Sequence, residues 1–133
     1  MITLSILKQL EIDGFGTIDI DLFFEEAPLD TKGLPKQGLW IVSRGSVVSR
    51  LDTEIQAFDI YSRYSNKITG ATQLHGVLEY LTDAYGDLCD LPAVPPYTED
   101  TYTNVRLIPT SGVENVGTDE NGKIVRVISG EVY

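Results

Sequence analysis

Apolar residues recur at helical spacing at the start of the chain, where Ile2, Ile6, Leu7 and Leu10 form one stripe over residues 2–12. Asp13-Gly14-Phe15-Gly16 interrupts the stripe and predicts the end of a short amphipathic helix. Residues 17–25 alternate instead. Ile18, Ile20, Leu22 and Phe24 fall on one side and Asp19, Asp21 and Glu25 on the other, the pattern of a half-buried strand. Residues 27–38 hold two prolines and two glycines and read as a long loop, a kind of segment that is often functional in a small domain. Leu39-Trp40-Ile41-Val42 is a continuous apolar run, expected of a strand covered on both sides. It continues through Ser43-Arg44 to Gly45 and resumes at Val47-Val48. Residues 54–63 place Ile55, Phe58, Ile60 and Tyr61 on both faces, which predicts a strand central in its sheet.

Ser65-Asn66 supplies a helix N-cap. Ile68, Ala71, Leu74, Leu78, Leu81 and Tyr85 follow at steps of three or four, and Gly86 stands where a left-handed cap belongs. Gly70 and Gly76 cost helix propensity, and their missing side chains suit close packing on a sheet. Residues 87–100 form a proline-rich connection. Strands are expected at 104–109, 112–116 and 123–132, with Asp119-Glu120-Asn121-Gly122 as a hairpin turn. The order is α-β-β-β-α-β-β(β). It predicts a single α+β domain over 1–133, a mostly antiparallel sheet with two helices packed on one face. The last strand runs to the neighbourhood of Tyr133, which leaves room for a short further tail.

Charge bears on partners more than on the fold. The net charge is −10, which favours solubility and opposes general binding to nucleic acid. Its distribution is uneven. Glu11, Asp13, Asp19, Asp21, Glu25, Glu26 and Asp30 stand without a base between residues 9 and 31, and between 79 and 120 Arg106 alone faces nine acids. The middle holds Arg44, Arg50 and Arg63, with Lys67 following. Opposite-charge segments of this kind are either solvated surface or patches that meet between subunits. In the second case Arg44, Arg50 and Arg63, around the Trp40 run, are expected to meet Asp87, Asp90 or Glu99 of the next copy. The polar loops, with Asp30, Lys32 and Lys36 in one and Asp119 and Glu120 in the other, are expected to bind a partner. No apolar run reaches the roughly 18 residues of a membrane span, and the N-terminus lacks the basic start and apolar core of a signal peptide.

The residues offer little catalytic chemistry. His75 is the lone histidine, in the middle of the main helix, and reads as a surface or boundary residue. One histidine and one cysteine do not build a typical zinc site. Cys89 lies among acids, which raise a thiol pKa rather than activate it. Asp19 and Asp21, with Glu25, would hold Mg²⁺ if they share a strand face, yet the basic groove of a nuclease is missing beside them. Asp119-Glu120-Asn121-Gly122 lacks calcium-loop spacing, and Asp13-Gly14-Phe15-Gly16 matches a kinase signature without any other kinase element. No enzyme activity, metal or cofactor is expected.

Four segments together carry a resemblance. They are Gly38-Leu39-Trp40-Ile41-Val42-Ser43-Arg44-Gly45, Phe58-Asp59-Ile60-Tyr61-Ser62-Arg63, Leu91-Pro92-Ala93-Val94-Pro95-Pro96-Tyr97, and Thr103-Asn104-Val105-Arg106-Leu107-Ile108-Pro109-Thr110-Ser111-Gly112. The chain resembles the minor capsid protein family of long-tailed phages and prophages of Gram-positive hosts, which is similar in size and element order to siphophage tail terminators. The resemblance spans nearly the whole chain, most specifically 38–64 and 87–133. It implies an α+β subunit that forms a hexameric ring on the tail tube, stops tube growth and helps join tail to head. The implied partners are further copies of the chain, the tail tube protein and a head–tail connector or neck protein, in a virion assembled in the host cytoplasm, with no membrane and no specific nucleic-acid binding. The family has no catalytic motif to carry over. Two readings of other classes compete: an acidic DNA mimic or inhibitor, and a small metal-dependent hydrolase on Asp19, Asp21 and Glu25.

Overall fold

The computed structural model describes residues 2–25, 29, 32–33, 36–48, 54–84, 89–94, 102–105, 107–118 and 123–132. Among these residues two helices, α1 (Ile2–Ile12) and α2 (Lys67–Ala84), accompany eight strands: β1 (Leu22–Phe24), β2 (Gly38–Val48), β3 (Glu54–Tyr64), β4 (Cys89–Leu91), β5 (Tyr102–Val105), β6 (Leu107–Pro109), β7 (Glu114–Thr118) and β8 (Ile124–Val132). The principal sheet runs β1-β2-β3-β8-β6, with β7 also on β8, and β4 and β5 form a separate pair. Every pairing is antiparallel except β1 with β2. The chain is therefore the α+β domain expected from its pattern, and β3 is central, between β2 and β8.

Pleating decides which side of the sheet the helices cover, because alternate residues of a strand face opposite ways. Leu39 and Ile41 of β2, Phe58 and Ile60 of β3, and Ile128 and Val132 of β8 face one side. There they join Ile6, Leu7 and Leu10 of α1 and Leu74, Val77 and Leu81 of α2 in one core. Both helices thus pack on one face, with α1 over β1 and β2 and α2 over β3, β8 and β6.

Helix α2 begins as its cap predicts. Asn66 Oδ1 accepts the backbone N–H groups of Ile68 and Thr69, at 2.9 and 3.1 Å, which satisfies two donors that the helix cannot. Asn66→Ala is expected to cost about 1 kcal/mol, read by thermal melting. The buried stripe of α2 is rotated from the expected one. Gly70, Leu74, Val77 and Leu81 face the core, Ala71 and Leu78 are half-buried, and Ile68 is 78% exposed. Gly70 fits the rotation: a Cβ there would lie 3.3 Å from both Arg126 Nη1 and Tyr64 Cβ, so the helix lies tight against β3 and β8 at its glycine. Burial there, with the charge of Asp21 adding to it, pushes the Tyr64 phenol above its ordinary pKa. Tyr85 and Gly86 lie outside the described residues.

The expected strand over 17–25 is corrected to a turn followed by three residues of strand. Thr17 O accepts the N–H groups of Ile20, Asp21 and Leu22, and Asp21 Oδ1 accepts the Thr17 N–H at 2.6 Å. A short carboxylate that bonds its own backbone favours a turn over a ladder. Asp19 takes a positive φ of 71°, Ile18 makes only an isolated bridge to Leu22, and Ile20 is 69% exposed. The turn hangs from α1 through Glu11, whose Oε2 accepts the Ile18 N–H at 2.6 Å. The hydrogen bond from Lys8 and then the one from Ile18 hold the Glu11 carboxyl below the usual carboxylate pKa. The C-terminal part holds more strands than expected. β4 forms within the proline-rich connection, and the strand expected over 104–109 is split between two sheets as β5 and β6. The sides of the hairpin expected at 119–122 pair as β7 and β8, while the turn itself lies outside the described residues.

Candidate functional site

The side of the sheet opposite α1 and α2 gathers the described part of the expected interface. Trp40 and Val42 of β2, Asp59, Tyr61 and Arg63 of β3, and Val125, Val127 and Ser129 of β8 alternate with the core residues and share this face. Their register forms rows across the strands: Trp40 beside Tyr61 and Tyr61 beside Val127, then Val42 beside Asp59 and Asp59 beside Ser129. The next strand extends the first row with Phe23, paired to Trp40 and 2% exposed.

A three-layer stack stands at the centre. The Trp40 and Tyr61 rings lie 5.1 Å apart and 10° from parallel, and the Arg63 guanidinium carbon sits 4.8 Å from the Trp40 ring centroid. Stacking and cation–π attraction are each worth roughly 0.5–1.5 kcal/mol at a partly wet site. They hold long side chains in one arrangement on the face opposite α1 and α2, where Trp40 is 9% exposed.

Arg44 reaches this face by a different route. Ser43 pairs with Phe58 and Gly45 with Ala57, so Arg44 is the extra residue of a bulge. Gly45 supplies the positive φ of 111° that the bulge needs. Arg44 Nε lies 2.8 Å from Asp59 Oδ1, and Ser129 Oγ donates to the same oxygen at 2.6 Å. Asp59 is 8% exposed and stays compensated by these two donors. The Arg44 side chain is 43% exposed, and solvent screening limits the ion pair to below about 1 kcal/mol. At the β7 margin, Val116, Gly117, Thr118 and Val125 line an open groove of about 220 Å³.

Of the residues expected at a subunit interface, Trp40, Arg44 and Arg63 come together. Asp90 lies apart from them, exposed in β4 of the second sheet. Arg50, Asp87 and Glu99 lie outside the described residues. Of the loop residues, Lys32 is exposed and Lys36 half-buried, while Asp30, Asp119 and Glu120 lie outside the described residues. Asp59, Tyr61 and Ser129 were not among the expected site residues. The period-two spacing of Asp59, Tyr61 and Arg63 was the signal that these three share one face of their strand, and the β2–β3 register adds Trp40 to it.

The carboxylates weighed for metal binding do not share a strand face. Asp19 is an exposed turn residue, and Asp21 is turned to the Thr17 N–H. Glu25, with a positive φ of 69°, accepts the Ser43 hydroxyl at 3.2 Å. Among the described residues no three His, Cys, Asp or Glu side chains are grouped to hold a metal ion. His75 is exposed on α2. No described helix is long and apolar enough to cross a membrane. Comparison with known protein families and with curated proteins found no match to this chain.

Proposed function

We propose that the protein is a structural subunit of a tailed bacteriophage, of the tail-terminator or minor capsid type. In this reading it acts as one member of a ring, hexameric by the family resemblance, that caps the tail tube and helps join tail to head. It works in the virion at the tail or neck after assembly in the host cytoplasm, and its partners are its own copies, the tube protein and a neck protein. The observation that carries the reading is the stack of Trp40, Tyr61 and Arg63 at the centre of the sheet face opposite the two described helices. Tryptophan, tyrosine and arginine are the residues that most often anchor protein–protein contacts. Tyr61 and Arg63 are half-buried at this face, which lies opposite α1 and α2, and their outer sides would meet a partner in this reading. An acidic DNA mimic has no use for this stack. A net charge of −10 also suits a ring through which a duplex must pass without sticking.

Light scattering over a concentration series tests the reading. The subunit is expected to associate as concentration rises, and neither subunit nor assembly should bind duplex DNA at low salt. A strict monomer that also ignores tail tubes, or micromolar DNA binding, contradicts the proposal.

A further inference from the structure

We infer that the turn of residues 17–21, between α1 and β1, is an acid-released latch: the ionised carboxylates of Glu11 and Asp21 hold it closed, and their protonation frees it while the core stays folded.

The hold on this turn is mostly polar. Glu11 Oε2 accepts the Ile18 N–H and Asp21 Oδ1 accepts the Thr17 N–H, each at 2.6 Å. Bonds from a backbone donor to an ionised carboxylate are stronger than neutral ones, and protonation removes that advantage. Gly16 leaves room for the second bond, since a Cβ there would lie 2.6 Å from Asp21 Oδ1. Thr17 in turn offers its carbonyl to the N–H groups of Ile20, Asp21 and Leu22, so the two carboxylates grip the residues on which the turn is wound. Other forces contribute little. Asp19 takes a left-handed φ of 71°, which costs free energy in a residue with a Cβ, and Ile20 stays exposed. Ile18 is the apolar residue of the turn that packs against the core. Opening therefore relaxes Asp19 and loses no burial at Ile20.

The surrounding charges favour the closed turn while the carboxylates are ionised. Lys8, one turn back on α1, bonds Glu11 Oε1 at 2.5 Å. Asp21 faces the Tyr64 phenol of β3, which is neutral throughout the acid range. Asp13 is bound by Gln9 and Tyr80, Glu25 is bound by Ser43, and Asp19 is exposed. On the elements around α1 and the turn, Arg44 of β2 is turned to Asp59, and Asp90 of β4 and His75 and Glu79 of α2 are exposed. Lys8 and the Ile18 N–H hold the Glu11 carboxyl below its ordinary pKa. A carboxyl lowered in the folded state stabilises it above the unfolded pKa, and that contribution is lost as pH falls through the folded value. Glu11 therefore keeps its grip at neutral pH and releases the turn below the usual glutamate range. Release ends at β1. Leu22 is fully buried, and the Leu39 N–H bonds the Asp21 carbonyl, which does not titrate. The apolar cluster beneath holds no carboxylate.

Nuclear magnetic resonance of the whole chain through an acid titration tests the latch. The Ile18 amide proton is expected to move upfield on the same curve as the Glu11 carboxyl carbon, and the Thr17 amide on that of Asp21. Protection of both amides, relative to intrinsic exchange, is expected to fall by at least about tenfold while Phe58 and Ile128 keep theirs. Glu11→Gln retains an acceptor oxygen and removes the charge, so its Ile18 amide is expected to hold one position over the same range. Asp21→Asn should do the same for Thr17. Should either variant fail to fold, the shared curves of carboxyl and amide in the wild type still decide. Thr17 and Ile18 amides that ignore acid, an unchanged Ile18 titration in folded Glu11→Gln, or core amides lost on the same curve as the turn would each overturn the inference.

Discussion

Truncation of Phe58 to alanine is expected to destabilise the protein by about 3–5 kcal/mol, the range for loss of a buried aromatic from a packed core. Phe58 is 1% exposed in the middle of β3, where it belongs to the single cluster that joins both helices to the sheet. Its ring also covers Gly130 on β8, its partner in register. A Cβ on Gly130 would lie 2.6 Å from Phe58 Cζ and 3.2 Å from the Ile108 carbonyl oxygen. The glycine and the aromatic therefore form one unit. Removal of the ring opens a cavity over β3 and β8 that the sheet closes only in part. Thermal or urea unfolding should record the loss, a fall in Tm on the order of 10–20 °C. The coupling is also measurable. Gly130→Ala should be costly in the wild type and much cheaper beside Phe58→Ala, since the ring that obstructs the new methyl is gone. Equal costs in the two backgrounds would show that the ring and the glycine act independently.

Gly38→Ala is expected to cost about 2–4 kcal/mol, from strain and collision together. Gly38 opens β2 with a φ of 150°, and a Cβ there would lie 2.5 Å from Asp21 O and 3.0 Å from Phe23 Cε2. The Asp21 oxygen has little freedom to retreat, because it accepts the Leu39 N–H at 2.9 Å and so begins the alignment of β1 with β2. Gly117→Ala is the control. Its φ of 139° is strained as well, yet nothing lies within 4 Å of a Cβ there, so its cost should stay near 1 kcal/mol. The difference between the two variants isolates the collision. Equal melting temperatures would mean that the start of β2 yields without loss.

Where pattern and propensity agree, the fold was legible. The α1 stripe, the Asn66 cap and the two-sided apolar pattern of β3 each rest on local chemistry that tertiary contacts did not override. Two readings failed for physical reasons. The alternation over 17–25 is a sound strand signal by hydrophobicity, but Asp19 and Asp21 are also residues that turn the chain and bond its backbone, and that preference prevailed. On α2, spacing pointed to a line through Ile68, yet Gly70 is buried tight against Tyr64 and Arg126, a use of a missing side chain that hydrophobic periodicity does not register. β4 and β5 are a short pair within and beyond a proline-rich stretch, too brief to show a period. The site was legible in part. Trp40, Arg44 and Arg63 were singled out by residue type and charge, but only pleating and register show that they share a face. Asp59 was hidden because a lone acid in an apolar strand gives no hint of the arginine that a bulge turns toward it. The joint role of Tyr61 and Arg63 around Trp40 needs the β2–β3 register, which residue spacing alone does not determine.

In the proposed function the protein is a ring subunit acting at the end of a tail tube. Electron micrographs of purified tail tubes, taken before and after addition of the subunit, test it most directly. The expected result is a ring-shaped density at one end of each tube, with the tube walls bare. Tube ends that look the same with and without the protein, at concentrations where the subunit is folded, would contradict it.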